Sequence, residues 1–278
     1  MSRKPRFIFW NISKAQNARV AHVQKFWFHG DIFRSVFFDA LSLTIPYAED
    51  FITKISADAL PHTSGHPQRD AQLLLEEETA HAHVHRAYNE MLRSEGYRTE
   101  SYERLVPLWT SFVMRHFSLG NQFAVAAAVE HLTACLGVVG LDYAVLDIGV
   151  DARMRRVWMW HLIEEVHHRH ACFNLARFFG ARYYMRASAL IAMTIIFILI
   201  HTYTMAGLLW QSGHLFDYSV WREGVRFACG KNGAYKIIIP FFSYFKPNFH
   251  PNEIPIRSVV SEHIHQYHIE SELLSYFK

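Results

Sequence analysis

Two short pairs of residues in this chain can hold a metal ion: Glu78-Thr79-Ala80-His81 and Glu165-Val166-His167-His168. On a helix, residues three apart share a face, so each pair points a carboxylate and an imidazole at one spot. Helical bundles that bind two ions use two such pairs, plus one glutamate from each of two further helices. The sequence supplies those glutamates in matching order, Glu49 ahead of the first pair and Glu130 ahead of the second. The order Glu, Glu-x-x-His therefore occurs twice and reads as a degenerate duplicated helix hairpin. One such pair is a weak signal, whereas four elements in this order predict a two-metal centre.

The surrounding pattern agrees. Glu78 shares its helix face with Ala71, Leu74, Ala82, Tyr88 and Leu92, and Glu165 with Trp158, Leu162, Cys172 and Leu175. Glu130 lies among Phe123, Ala126, Ala127, Ala134 and Gly137. A carboxylate on an apolar face is costly unless it is paired or bound to a cation. Two registers stay open at this point, because Asp50 adjoins Glu49 and because Glu164 and His167 have the same three-residue spacing. His161, four before Glu165, and His85, four after His81, fall on the ligand faces as extra ligands or as partners that orient one. Glu76 and Glu77 are expected to be solvated, and so is the late run Glu262-His263-Ile264-His265-Gln266-Tyr267-His268.

The elements that position these residues read as helices. Periodicity and breakers predict helices over 31–59, 69–94, 102–117, 119–147 and 152–179, with Pro46 marking a start or kink in the first and Gly180 ending the last. Strand signals are weak throughout, so the fold class is all-α. Residues 187–212 contain no Asp, Glu, Lys or Arg, and such a stretch is long enough to cross a bilayer. His201 near its middle weakens a spanning reading. Membrane contact is expected, with lying in the interface fitting better than a clean crossing, and burial centrally or between two copies is the alternative. The expected organisation is an N-terminal segment 1–30, a metal-binding bundle 31–186, an apolar helix 187–212 and a less regular segment 213–278 packed on the bundle.

Composition bounds the function. Basic and acidic residues number 28 and 25, a net charge of +3, too even to argue for nucleic acid. Three cysteines at wide spacing form neither a disulfide framework nor a zinc ribbon, and they fit a reducing compartment. The basic N-terminus lacks a secretory h-region. A cytoplasmic location is therefore expected, with contact to the inner face of the cytoplasmic membrane and with a homodimer as a further expectation.

The runs Glu78 to Asn89 and Trp160 to His168 resemble the ferritin-like bacterial family called predicted metal-dependent hydrolases, as do Pro46-Tyr47-Ala48-Glu49 and Phe249-His250-Pro251. The resemblance implies a ferritin-like four-helix bundle with Glu49, Glu78, His81, Glu130, Glu165 and His168 as ligands. The spacing His161-x-x-x-Glu165-x-x-His168 is also similar to the di-iron aminobenzoate N-oxygenases, which supports His161. Glutamate and histidine ligands suit two iron ions, with manganese and zinc as alternatives. The leading expectation is an O2-dependent di-iron oxygenase, a hydroxylase or desaturase, taking electrons from a donor and acting on a hydrophobic or lipid-like substrate. A hydrolase using metal-activated water comes second, and a non-catalytic metal-binding protein third.

Overall fold

The computed structural model describes residues 25–142, 150–230 and 233–254. The late histidine-rich run falls outside them. Among the described residues the structure is helical, with one isolated bridge between Phe28 and Val150 and no strand. The helices are α1 (Ile32–Ala59), α2 (His66–Ser94), α3 (Glu100–Glu103), α4 (Leu105–His116) and α5 (Leu119–Asp142). They continue with α6 (Ala152–His168), α7 (Ala171–Phe178), α8 (Tyr183–Gln211), α9 (Tyr218–Cys229) and α10 (Ile238–Ser243).

Local chemistry explains the boundaries that matter. Asp31 caps α1, its carboxylate accepting from Arg34 N at 2.9 Å, and Asp151 caps α6 in the same way. Pro46 lies inside α1, which runs on through it. A single 3₁₀ turn, Leu60–His62, and Gly65 at φ +65° reverse the chain, and Pro67 opens α2, where its missing N–H costs nothing. α1 and α2 thus form one hairpin, packed along their length. α5 packs on α6, α7 and α8, and α2 closes the bundle against α6 and α7. Gly137 allows this approach: a Cβ there would lie 3.0 Å from Leu162 O and from Val166 Cγ2.

The helix expected over 152–179 is two helices. α6 stops at His168 and α7 starts at Ala171. No proline or glycine marks the break. Instead the Arg169 guanidinium turns back to donate to Val166 O and reaches Pro251 O at 3.1 Å. In the segment after α9, Tyr244, Phe249 and Ile254 are buried, and Arg186 donates to Tyr244 O at 2.6 Å and Lys246 O at 3.0 Å.

Two helices are long and apolar enough to cross a membrane, α5 over Leu119–Leu141 and α8 over Tyr183–Gln211. In the first, 72% of the apolar window is buried inside the protein, against 33% in the second. α5 is therefore the central core helix, and α8 exposes most of its apolar length.

Candidate metal centre

α1, α2, α5 and α6 bring Glu49, Glu78, His81, Glu130, His161, Glu165 and His168 together, and all seven are buried. His81 Nδ1 lies 3.5 Å from Glu49 Oε1, 3.6 Å from Glu78 Oε2 and 3.6 Å from Glu165 Oε1. His161 Nε2 lies 3.5 Å from Glu165 Oε1. On the other side, His168 lies 3.2 Å from Glu130 Oε2 through Nδ1 and 3.4 Å from Glu78 Oε1 through Nε2. Donor atoms about 2.0–2.2 Å from one ion sit about 3–3.5 Å from each other, which is the spacing found here. Two overlapping groups could each hold an ion: Glu49, His81, His161 and Glu165, and Glu78, His81, Glu165 and His168.

The donor set fits a pair of cations on a second count. Both carboxylate oxygens of Glu49 and of Glu78, Glu130 Oε2, and Nδ1 of His81, His161 and His168 are buried with no hydrogen-bond partner in the protein. Four carboxylates in one desolvated space repel each other unless cations balance them. The titration behaviour reports the same conflict. Burial pushes Glu49 well above the usual carboxylate range and Glu165 up to about 8, with Glu130 adding to the effect. The histidines His81 and His168 resist burial because the carboxylates around them favour the charged form.

Both open registers close. Asp50 is solvent-exposed and paired with Arg86 Nη2, so Glu49 is the residue that faces the cluster. Glu165 and His168 point inward, whereas His167 is exposed and Glu164 half-buried. His85 stands one layer back, its ring 4.8 Å from that of His161. Ser42 has one hydroxyl proton, which goes to Asn89 Oδ1 at 2.9 Å. His85 Nδ1 lies 2.9 Å from the same Ser42 Oγ, which joins the ring to that hydrogen-bonded chain.

Sequence reasoning missed three supporting groups. Glu164 Oε2 lies 2.9 Å from His81 Nε2. A carboxylate there fixes the proton on Nε2 and leaves the Nδ1 lone pair for the cluster. Glu77 Oε2 occupies the corresponding place 4.0 Å from His168 Nε2, and it is mostly buried, which raises its pKa to about 7. The signal was present as a repeated Glu-Glu-x-x-His, in Glu77-Glu78 and again in Glu164-Glu165. Glu164, on α6, hydrogen-bonds the histidine of α2, whereas Glu77, on α2, stands near the histidine of α6 without bonding it. Thr133 is the third group, its hydroxyl donating to Glu165 Oε2.

An apolar cavity runs along α1 from Phe37 through Leu41, Thr44, Ala48 and Ile52. α5 and α8 wall it, and Glu49, Glu78, Glu130, His161 and Glu165 border it. The carboxylate cluster thus meets a greasy chamber rather than open solvent.

With the geometry described, comparison with known proteins places the chain. The model of a family described as predicted metal-dependent hydrolases matches residues 14–254, which is most of the chain, and the protein belongs to that family. No curated protein and no solved structure matches it.

Proposed function

We propose that this protein is a dinuclear metal-dependent hydrolase acting on a substrate with a long apolar chain. The observation that carries the reading is the apolar cavity bordered by four buried carboxylates and the His161 imidazole, with His81 and His168 buried in the same cluster. Family membership favours hydrolysis over the oxygenase chemistry that ligand types alone suggest. In this reading Glu49, His81, His161 and Glu165 hold one ion, Glu78, Glu130 and His168 hold the other, and Glu165 is shared. Iron is the first choice, ahead of manganese and zinc, because mixed imidazole and carboxylate donors suit it. Bound there, two divalent ions would lower the pKa of a water and polarise a scissile carbonyl. Glu164 keeps His81 in the tautomer that offers a lone pair, and Thr133 holds Glu165 in place. The walls from Phe37 to Ile52 exclude bulk water and seat the apolar part of the substrate.

The test is anaerobic hydrolysis of long-chain esters and amides by full-length protein loaded with iron, manganese or zinc. Turnover that requires metal and is lost in Glu165→Ala supports the reading. Absence of hydrolysis with every metal overturns it. A second reading, O2-dependent oxidation of the same substrates, is favoured by His161, which adds a third imidazole beside the shared carboxylate. O2 uptake with a reductant, and no anaerobic turnover, selects it.

We also propose that α8 lies flat on the inner face of the cytoplasmic membrane. Ile191, Ile195, Ile198, Leu199 and Tyr203 recur on one exposed face of α8, and Leu199 is 64% exposed. The exposed cations Arg182, Arg222 and Lys246 on and beyond this helix suit anionic headgroups. Ile200 and Phe197 of α8, Phe227 of α9 and the turn residue Ile237 line the cavity as well, so chamber and apolar face belong to the same elements. Sedimentation with phosphatidylglycerol vesicles is expected, reduced in Leu199→Glu. Failure to sediment, or a soluble dimer that buries this face, overturns it.

A further inference from the structure

His201 is a polar side chain in the cavity that the metal cluster does not use. It projects from α8, is 9% exposed, and lines the chamber. Its ring meets Phe37 edge-on at 4.7 Å and stacks on Phe197 at 5.4 Å. Neither ring nitrogen has a hydrogen-bond partner in the protein. The other small polar residues of the wall are satisfied: Thr44 donates to Leu41 O at 2.9 Å, and Thr133 to Glu165. A buried imidazole without partners is a standing cost, and an apolar side chain of similar shape would fill the space between two phenylalanines without it.

The position is displaced along α1 from the Glu49 end of the cluster. Phe37, against which His201 packs, precedes Glu49 by twelve residues in α1, about 18 Å along the helix axis. The wall between them is Leu41, Thr44, Ile45 and Ala48. Along this stretch the chamber offers apolar contact, and it ends at a hydrogen-bonding ring. A neutral imidazole presents one N–H donor and one lone pair.

We propose that His201 is a specificity-determining residue that hydrogen-bonds a hydroxyl or carbonyl group on the substrate, carried on the apolar chain far from the bond that reacts at the metals. The substrate class is then an amphiphile with two polar points separated by a long apolar chain, rather than a plain hydrocarbon tail. This rests on the reading that the chamber is the substrate site, but not on which reaction occurs there.

The test is binding without turnover. Metal-loaded full-length protein is titrated with 1-dodecanol and with n-dodecane, following displacement of a fluorescent fatty-acid probe. The wild type is expected to prefer the alcohol by about tenfold, the effect of one hydrogen bond to an otherwise unsatisfied buried group. His201→Leu is expected to remove the preference while keeping dodecane affinity, and His201→Gln, which keeps a donor and an acceptor, to restore part of it. Thermal melting checks that both variants fold. A preference that survives in His201→Leu, equal binding of the two ligands by the wild type, or no binding of either overturns the proposal. A purely structural His201 would change the melting temperature of the variants and leave the ratio alone. Absence of hydrolysis in a wild type that prefers the alcohol would refute the hydrolase reading only.

Discussion

Replacing Glu164 with alanine tests whether the cluster is built to bind metal or merely to bury charge. Glu164 lies outside the group of donor atoms, so its removal takes away no ligand. It does remove the carboxylate 2.9 Å from His81 Nε2, freeing the ring to rotate or to place its proton on Nδ1. Loss of such an outer partner reduces metal affinity by about 10–100-fold, or about 1.4–2.8 kcal/mol, within the range of one hydrogen bond to a charged group. The matching change at Glu77 should have less effect, because Glu77 stands 4.0 Å from His168 Nε2. Glu164→Gln should fall between, since its amide oxygen still accepts the N–H without the charge. Competition with a chromophoric chelator reads the affinities, and elemental analysis reads the ions per chain. Unchanged affinity in Glu164→Ala, or a larger loss in Glu77→Ala, would refute the assignment of His81 Nδ1 as a ligand atom.

Removing the metal should make stability more sensitive to pH. The folded-state pKa of Glu165 stands at about 8, against an ordinary 4.5, so the native apo protein holds a proton that the unfolded chain has lost. Stability of the apo form should therefore fall as pH rises from about 4.5 to about 8, and the loaded form should fall less, as chemical denaturation at several pH values will show. Asp39 behaves alike by a separate route: burial lifts it from 3.8 to about 7, against the hydrogen bonds from Tyr88 and Trp27 that lower it. At about 1.4 kcal/mol per pH unit, Asp39→Asn should gain up to about 4 kcal/mol relative to the wild type between pH 4 and 7, and a difference that stays flat with pH would contradict this. Gly120→Ala should destabilise by about 1–3 kcal/mol, because a Cβ there would lie 2.4 Å from the backbone oxygen of Phe179, and a melting temperature equal to wild type would count against that contact.

The parts of this protein legible in its sequence are those set by local spacing. The Glu-x-x-His pairs need only one helix each, and the helices themselves follow from periodicity and breakers, although the second starts at His66 and not at 69. What was illegible depends on elements far apart in the chain. Glu49 prevails over Asp50 because the packing of α1 on its neighbours buries Glu49 and leaves Asp50 in solvent beside Arg86. Glu77 looks like a solvated charge, and Glu164 like a rival ligand, until α2 and α6 are set side by side. The break after His168 has no proline or glycine to mark it, and the bond from Arg169 beside it to Pro251 O lies within no window of sequence. His201 seemed a blemish in an apolar stretch, and its meaning depends on the chamber beneath it.

The duplicated hairpin is not symmetric, and its asymmetry has a consequence for loading. Counting four back from the pair glutamate gives His161 in the second hairpin but Leu74 in the first, a residue wholly buried in hydrocarbon. Counting three on from the lone glutamate gives Thr133 in the second and Ile52 in the first. One half of the site thus commands an additional nitrogen, and one carboxylate an additional hydroxyl, that the other half lacks. Two ions entering such a centre meet different hosts. Their uptake should be sequential, with two resolvable affinities, so that a singly loaded protein exists over a range of metal concentration and the vacant position can discriminate between metals.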